Sequence, residues 1–138
     1  MRAVLDANVH ISALLSAAGT PAQILRAFVE GRFELVVSPK LLSELQRALG
    51  YAKLQRHIDA EESAQYLAWL RDAAVLVEDP GGDPPARSAD PEDDYLLSLA
   101  AAQQAILVSG DRHLLQLVDD LPIHRPAEFL RRLDADQR

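Results

Sequence analysis

Two apolar runs in this chain end on an aspartate: Ala3-Val4-Leu5-Asp6, and Ala105-Ile106-Leu107-Val108-Ser109-Gly110-Asp111. Asp6 is followed by Ala7-Asn8 and a new apolar pattern at helical spacing. A short buried strand that closes on a carboxylate at a turn is how α/β folds present chemistry, because ligands bind in the crevice beyond the carboxyl ends of parallel strands. Two such endings in one small chain point to a shared acidic pocket.

The rest of the chain alternates in the same way. Strands are predicted over Arg2–Asp6, Phe33–Val37, Ala74–Val77, Ala105–Val108 and Pro122–Arg125. Between the first two, Val9, Leu14 and Leu15, then Ile24, Leu25 and Phe28, suit two helices separated by Gly19-Thr20-Pro21. Thr20 is the predicted N-cap with Pro21 at the first helical position, and Gly31 is the predicted stop. Ser38-Pro39 repeats the signature ahead of Leu41, Leu42, Leu45 and Leu49. Further helices are predicted over Ala60–Asp72, from Asp90-Pro91 with Leu96, Leu97, Ala100 and Ala101 inward, and over His113–Val118. Strands alternating with helices make parallel pairing of four to five strands with right-handed crossovers the economical topology.

With 138 residues the chain reads as one domain, residues 1–138, broken only by a Pro/Gly-rich segment at about 79–89 that is predicted to be a mobile surface loop. There is no cysteine, which excludes disulfides, thiolate metal sites and a cysteine nucleophile. No apolar run reaches the ~20 residues of a membrane span, and the first residues read as a strand rather than a leader, so no membrane association and a cytoplasmic location are expected. The net charge of −7 argues against nucleic-acid binding through Lys and Arg alone, unless metal neutralises some of the acids.

Glu44 and the Asp90-Pro91-Glu92-Asp93-Asp94 segment supply further acids. Glu44 lies on the border of its helix's apolar face. Positions 93, 96, 97, 100 and 101 share one helical face, so Asp93 heads the inward stripe, while Asp94 is turned about 100° away and reads as a flanking, solvated acid. Two carboxylates ~4 Å apart at an effective dielectric of ~20 repel by about 4 kcal/mol, so a convergent set requires protons or a cation. Magnesium suits such a set, because it binds through a few carboxylates and keeps waters and room for phosphate. It can activate water and stabilise an in-line phosphoryl displacement.

Each acid also has a purely structural reading. Asp6 would accept hydrogen bonds in its turn, and Asp111 would cap a helix starting at Arg112. Glu44 alone would be a solvated helix acid. Asp90 would be an N-cap with Asp93 at N3. Asn8 and Ser109 would each bridge a turn.

The segments AVLDANVHISALLSAAGTPAQIL, SPKLLSELQRAL around Glu44, DPEDDYLLSLA and ILVSGDRHLL, taken in order from Met1 to about Phe129, resemble the PIN domain, closest to its toxin branch related to the VapC-type toxins. The resemblance implies a PIN-like nuclease domain, a three-layer α/β/α sandwich with a short central parallel sheet of four to five strands flanked by helices, and a Mg²⁺- or Mn²⁺-dependent endoribonuclease. Its four acidic positions fall on Asp6, Glu44, Asp93 and Asp111. Its small polar positions fall on Asn8 and Ser109, the latter often Thr in the family, and Asp94 stays open beside Asp93. Asp6, Asp93 and Asp111 would hold an ion directly or through water, with Glu44 completing the site or helping a second ion. Lys40, Arg47, Lys53, Arg56 and Arg112 are candidates to guide RNA. Such toxins are usually paired with an antitoxin that covers the acidic groove, and they often form homodimers. The region Ala60–Val77, with Tyr66, Trp69 and Leu70, would supply an interface or equally pack into the core.

The competing class is a non-catalytic interaction module of this fold. A phosphoacceptor receiver domain is rejected, because Ala7 follows Asp6 and no lysine follows Lys53. An Asp-x-Asp phosphatase fails because Asn8 stands at the second aspartate.

Overall fold

Val4 and Leu5, Leu35 to Val37 and Leu107 to Val108 are all but completely buried. Continuous apolar runs of this kind belong to parallel strands covered on both faces. In the computed structural model, which describes residues 1–119 and 121–136, they form β1 (Arg2–Leu5), β2 (Glu34–Val37) and β4 (Ile106–Val108). The two-residue strands β3 (Val75–Leu76) and β5 (Ile123–His124) complete an all-parallel sheet in the order β3-β2-β1-β4-β5. The chain winds outward from β1 to one edge and returns to β4 to reach the other. The gap beyond the ends of β1 and β4 is therefore the switch point where α/β sheets place ligands. Register pairs Leu5 with Val108, and this sets Asp6 beside Ser109.

The helices start where local chemistry allows. Asp6 caps α1 (Ala7–Leu15), Ser38 caps α3 (Pro39–Leu49) ahead of its proline, and Asp59 caps α5 (Ala60–Ala73). At α2 (Thr20–Val29) the predicted cap is displaced by one residue. Gly19 takes the extended cap conformation with no side-chain bond, and Thr20 is already helical. Gly31, at φ +79°, ends that helix in a Schellman turn: its N–H donates to Phe28 O, and that of Arg32 to Ala27 O. The short α4 (Ala52–Gln55) follows α3, and α7 (Arg112–Leu115) begins directly after Asp111.

Two expectations are corrected. The segment after Asp90 opens as a 3₁₀ turn, Pro91–Asp93, before α6 (Asp94–Ala102). Asp94 is consequently 7% exposed rather than solvated, and Ala101 faces outward while Leu99 is buried. The C-terminal helix α8 (Pro126–Asp136), unforeseen from the sequence, packs on α2 and seats Phe129 edge-to-face on Phe33 at 5.1 Å.

Tyr66 and Leu70 are buried, and Trp69 lies against Phe28 and Tyr66. That face of α5 is core and is not available as an interface. Residues 79–89 carry no regular structure but are tied down: Asp79 Oδ2 accepts from Lys40 N at 2.9 Å, and Ser88 N donates to Asp94 Oδ1 at 2.8 Å. Among the described residues no helix is long and apolar enough to cross a membrane.

Candidate active site

Asp6 is 5% exposed at the end of β1. Its Oδ1 accepts from Val9 N at 2.9 Å, and its Oδ2 accepts from the Ser109 hydroxyl. Ser109, fully buried, also accepts from Asp111 N at 3.0 Å, and Asp111 Oδ1 accepts from His113 N at 2.8 Å. The turn-bonding and capping readings of the two aspartates are thus correct and coexist with a site. One hydroxyl couples the ends of β1 and β4.

Glu44 sits half-buried on α3. Its Oε2 accepts from Tyr95 Oη at 2.6 Å, and its Oε1 lies 4.0 Å from Arg47 Nη2. Asp93, at the head of α6, is half-buried with an Oδ2 that has no hydrogen-bond partner. Asp94 points elsewhere, toward Ser88 N and Arg87, and serves the loop. Asp90 caps the 3₁₀ turn through Glu92 N at 3.1 Å. Asp6, Glu44, Asp93 and Asp111 line one cavity of about 160 Å³ with Asn8 and Arg47. Lys53 and Arg56 lie on or just after α4, outside it. Sequence periodicity misses Tyr95, whose partner lies 51 residues away.

Electrostatics match that convergence. Burial pushes the Asp6 carboxyl above its ordinary range, opposed in part by the Ser109 hydrogen bond. Asp93 is pushed up to about 7, first by burial and then by Asp111, Asp90, Asp6 and Glu44. An unpaired buried oxygen facing other acids is the signature of a position that holds a proton or a cation.

The donors are all hard oxygens and suit magnesium or manganese. Among the described residues no three acidic or histidine side chains stand together as a ready-made coordination sphere. A magnesium ion typically uses one or two carboxylates and keeps several waters, so the set fits an ion held largely through water. A separate apolar cavity between α6 and β5, lined by Leu97, Ala100, Leu107 and Ile123 among others, has no ionisable side chain among the described residues.

The sequence profile of the PIN domain family matches residues 2–113. The uncharacterized protein MJ1680 of Methanocaldococcus jannaschii is 26% identical over 141 residues, covering 94% of this chain and 90% of the relative. PAE2754 from Pyrobaculum aerophilum has a similar structure, with TM-score 0.67 and 20% identity, covering 98% of this chain and 90% of that one. VapBC2 from Rickettsia felis, solved bound to a DNA fragment from its promoter, gives 0.64 and 15% over 91% and 98% of the two chains. VapBC-1 from nontypeable Haemophilus influenzae gives 0.62 and 17% over 92% and 99%. At such identities the structural likeness is one of fold.

Proposed function

The chain belongs to the PIN domain family, and from that premise we propose that it is a Mg²⁺- or Mn²⁺-dependent endoribonuclease, the toxin of a toxin–antitoxin pair acting in the cytoplasm. The observation that carries this reading is the lining of one cavity at the sheet's switch point by Asp6, Glu44, Asp93 and Asp111, with Asp93 Oδ2 buried and unpartnered. The same acids would hold the ion, and an ion so held supplies charge neutralisation and water activation for in-line phosphodiester hydrolysis.

The chain's own residues have separable tasks. Ser109 and Val9 N fix the Asp6 carboxylate in one orientation, so little reorganisation is needed when substrate arrives. Tyr95 holds Glu44 at the cavity wall. Asp93 Oδ2 is the oxygen open to a proton or a ligand, and the exposed Asn8 side chain is free to meet substrate at the rim. Two similar folds were solved as VapBC assemblies, which supports an antitoxin partner for this chain too.

The test is cleavage of a structured RNA panel with Mg²⁺, with EDTA, and with Asp6→Asn. Metal-dependent cleavage that the variant loses is expected. Equal cleavage by Asp6→Asn would overturn the assignment and favour the non-catalytic interaction module.

A further inference from the structure

Lys40, Ser43, Glu44 and Arg47 fall at i, i+3, i+4 and i+7 on α3, a single polar stripe beside the buried Leu41, Leu45 and Leu49. With Glu92 on the facing side, this stripe lines an open depression of about 360 Å³. Glu44 and Arg47 also line the acidic cavity, so the two depressions adjoin. On its other side the acidic cavity shares Asn8 and Asp111 with a third depression of about 310 Å³. That one is walled by Val9, Ser12, Pro21 and Pro126 and, among the described residues, by no lysine or arginine. The acidic cavity is therefore flanked by one depression that presents Lys40 and Arg47 beside Glu44 and Glu92, and by another whose only described charged lining residue is Asp111.

The cations of the first depression are presented rather than consumed. Arg47 is 66% exposed, and among the described residues the one carboxylate within 4.0 Å of it is Glu44, whose other oxygen is bonded to Tyr95. The Lys40 ammonium rests 4.7 Å over the Tyr95 ring, an aromatic contact that orients it without neutralising it. An ammonium and a guanidinium two helical turns apart, beside a candidate phosphodiester-cleaving centre, match the charge of a nucleic-acid backbone.

We propose that Lys40 and Arg47 form a phosphate-binding subsite for the nucleotides flanking the scissile bond on one side only, in a single-stranded stretch of substrate. The opposite depression accepts its nucleotides without ionic contact. This rests on the endoribonuclease reading, and the two fail separately in the experiment.

Binding of a fluorescein-labelled single-stranded oligoribonucleotide is measured by anisotropy in EDTA across a salt series, for wild type, Lys40→Gln/Arg47→Gln and Lys53→Gln/Arg56→Gln. The KM and kcat for its cleavage in Mg²⁺ are measured alongside. Each lost phosphate contact lowers the salt slope of log affinity by about 0.7 for a single strand, so the first double variant is expected to lose about 1.4 in slope. Its KM is expected to rise several-fold with kcat little changed, and the α4-region variant should match wild type. An unchanged slope in the first variant, or an equal fall in both, would overturn the subsite. A raised Mg²⁺ requirement with wild-type slope and KM would likewise overturn it, since the two cations would then only balance carboxylates. Failure of wild type to cleave, with the slope difference intact, would remove the nuclease reading and leave the subsite standing.

Discussion

Tyr95 Oη donates to Glu44 Oε2 at 2.6 Å, tying the first turn of α6 to the middle of α3. Burial, and then the Glu44 carboxylate, hold the phenol well above its usual range, so it stays protonated and remains a donor. Tyr95→Phe keeps the ring beneath Lys40 and removes only that bond. Hydrogen bonds to charged groups contribute about 1.5–3 kcal/mol, and the half-exposed setting puts this one at the lower end. A fall in stability of about 1.5 kcal/mol is expected by denaturant unfolding. The Mg²⁺ concentration for half-maximal cleavage should rise several-fold, because Glu44 is no longer held at the cavity wall. An unchanged Mg²⁺ midpoint would show that Tyr95 serves packing alone.

Asp93 and Asp94 are adjacent but do different work. Asp93→Asn should abolish or sharply reduce metal-dependent cleavage while leaving the fold intact, because Asp93 lines the acidic cavity and its Oδ2 serves no hydrogen bond in the fold. Asp94→Ala should do the reverse. It strips the acceptor from Ser88 N and the partner from Arg87, at a cost of about 1–3 kcal/mol for a buried group left unpaired. Thermal unfolding and Mg²⁺ titration of both variants separate the roles. Equal metal sensitivity in the two would contradict the assignment.

Those two residues also mark where the sequence stopped being legible. The strand endings at Asp6 and Asp111 and the caps at Ser38 and Asp111 follow from local pattern, and the structure keeps them. The step of about 100° that sets Asp94 apart from Asp93 assumes that both lie in one α-helix. The chain instead begins with a 3₁₀ turn, which advances about 120° per residue and rotates everything after it. Helix α8 had a readable signal, Pro126 followed by Phe129 and Leu133 at helical spacing. The contacts of Tyr95 with Glu44 and of Ser109 with Asp6 were not readable, since they depend on strand order and register.

Ser109 is the joint between the two strand ends. Ser109→Ala leaves Asp6 Oδ2 and Asp111 N without their partner in a fully buried position, at about 1–3 kcal/mol. The lost hydrogen bond was lowering the Asp6 pKa, so that pKa rises further. The acid limb of the pH–rate profile should therefore move to higher pH. Ser109→Thr keeps the hydroxyl and should keep the wild-type limb. A Ser109→Ala profile superimposable on wild type would contradict the coupling.

Two buried groups give the metal-free protein pH dependences of opposite sign. Asp93 is raised to about 7 from an ordinary 3.8, so between those values the folded state binds more protons than the unfolded one. Stability then falls as pH rises through that window. His10 is fully buried, with Nδ1 2.7 Å from Tyr66 Oη, and burial lowers it to about 4 from 6.5. There the unfolded state binds more protons, and stability rises with pH between the two values. The contributions offset each other below about pH 6.5, and of these two only the Asp93 loss continues above it. In EDTA, wild-type Tm should change little from pH 4.5 to 6.5 and then fall toward pH 8. Asp6, whose carboxyl burial also raises, contributes in the same direction as Asp93, so Asp93→Asn should lose less Tm above about pH 6.5 than wild type. Mg²⁺ should raise wild-type Tm more at pH 8 than at pH 5.5, because the ion binds ionised carboxylates. Parallel Tm profiles for wild type and Asp93→Asn would show that Asp93 does not carry the proton its surroundings assign to it.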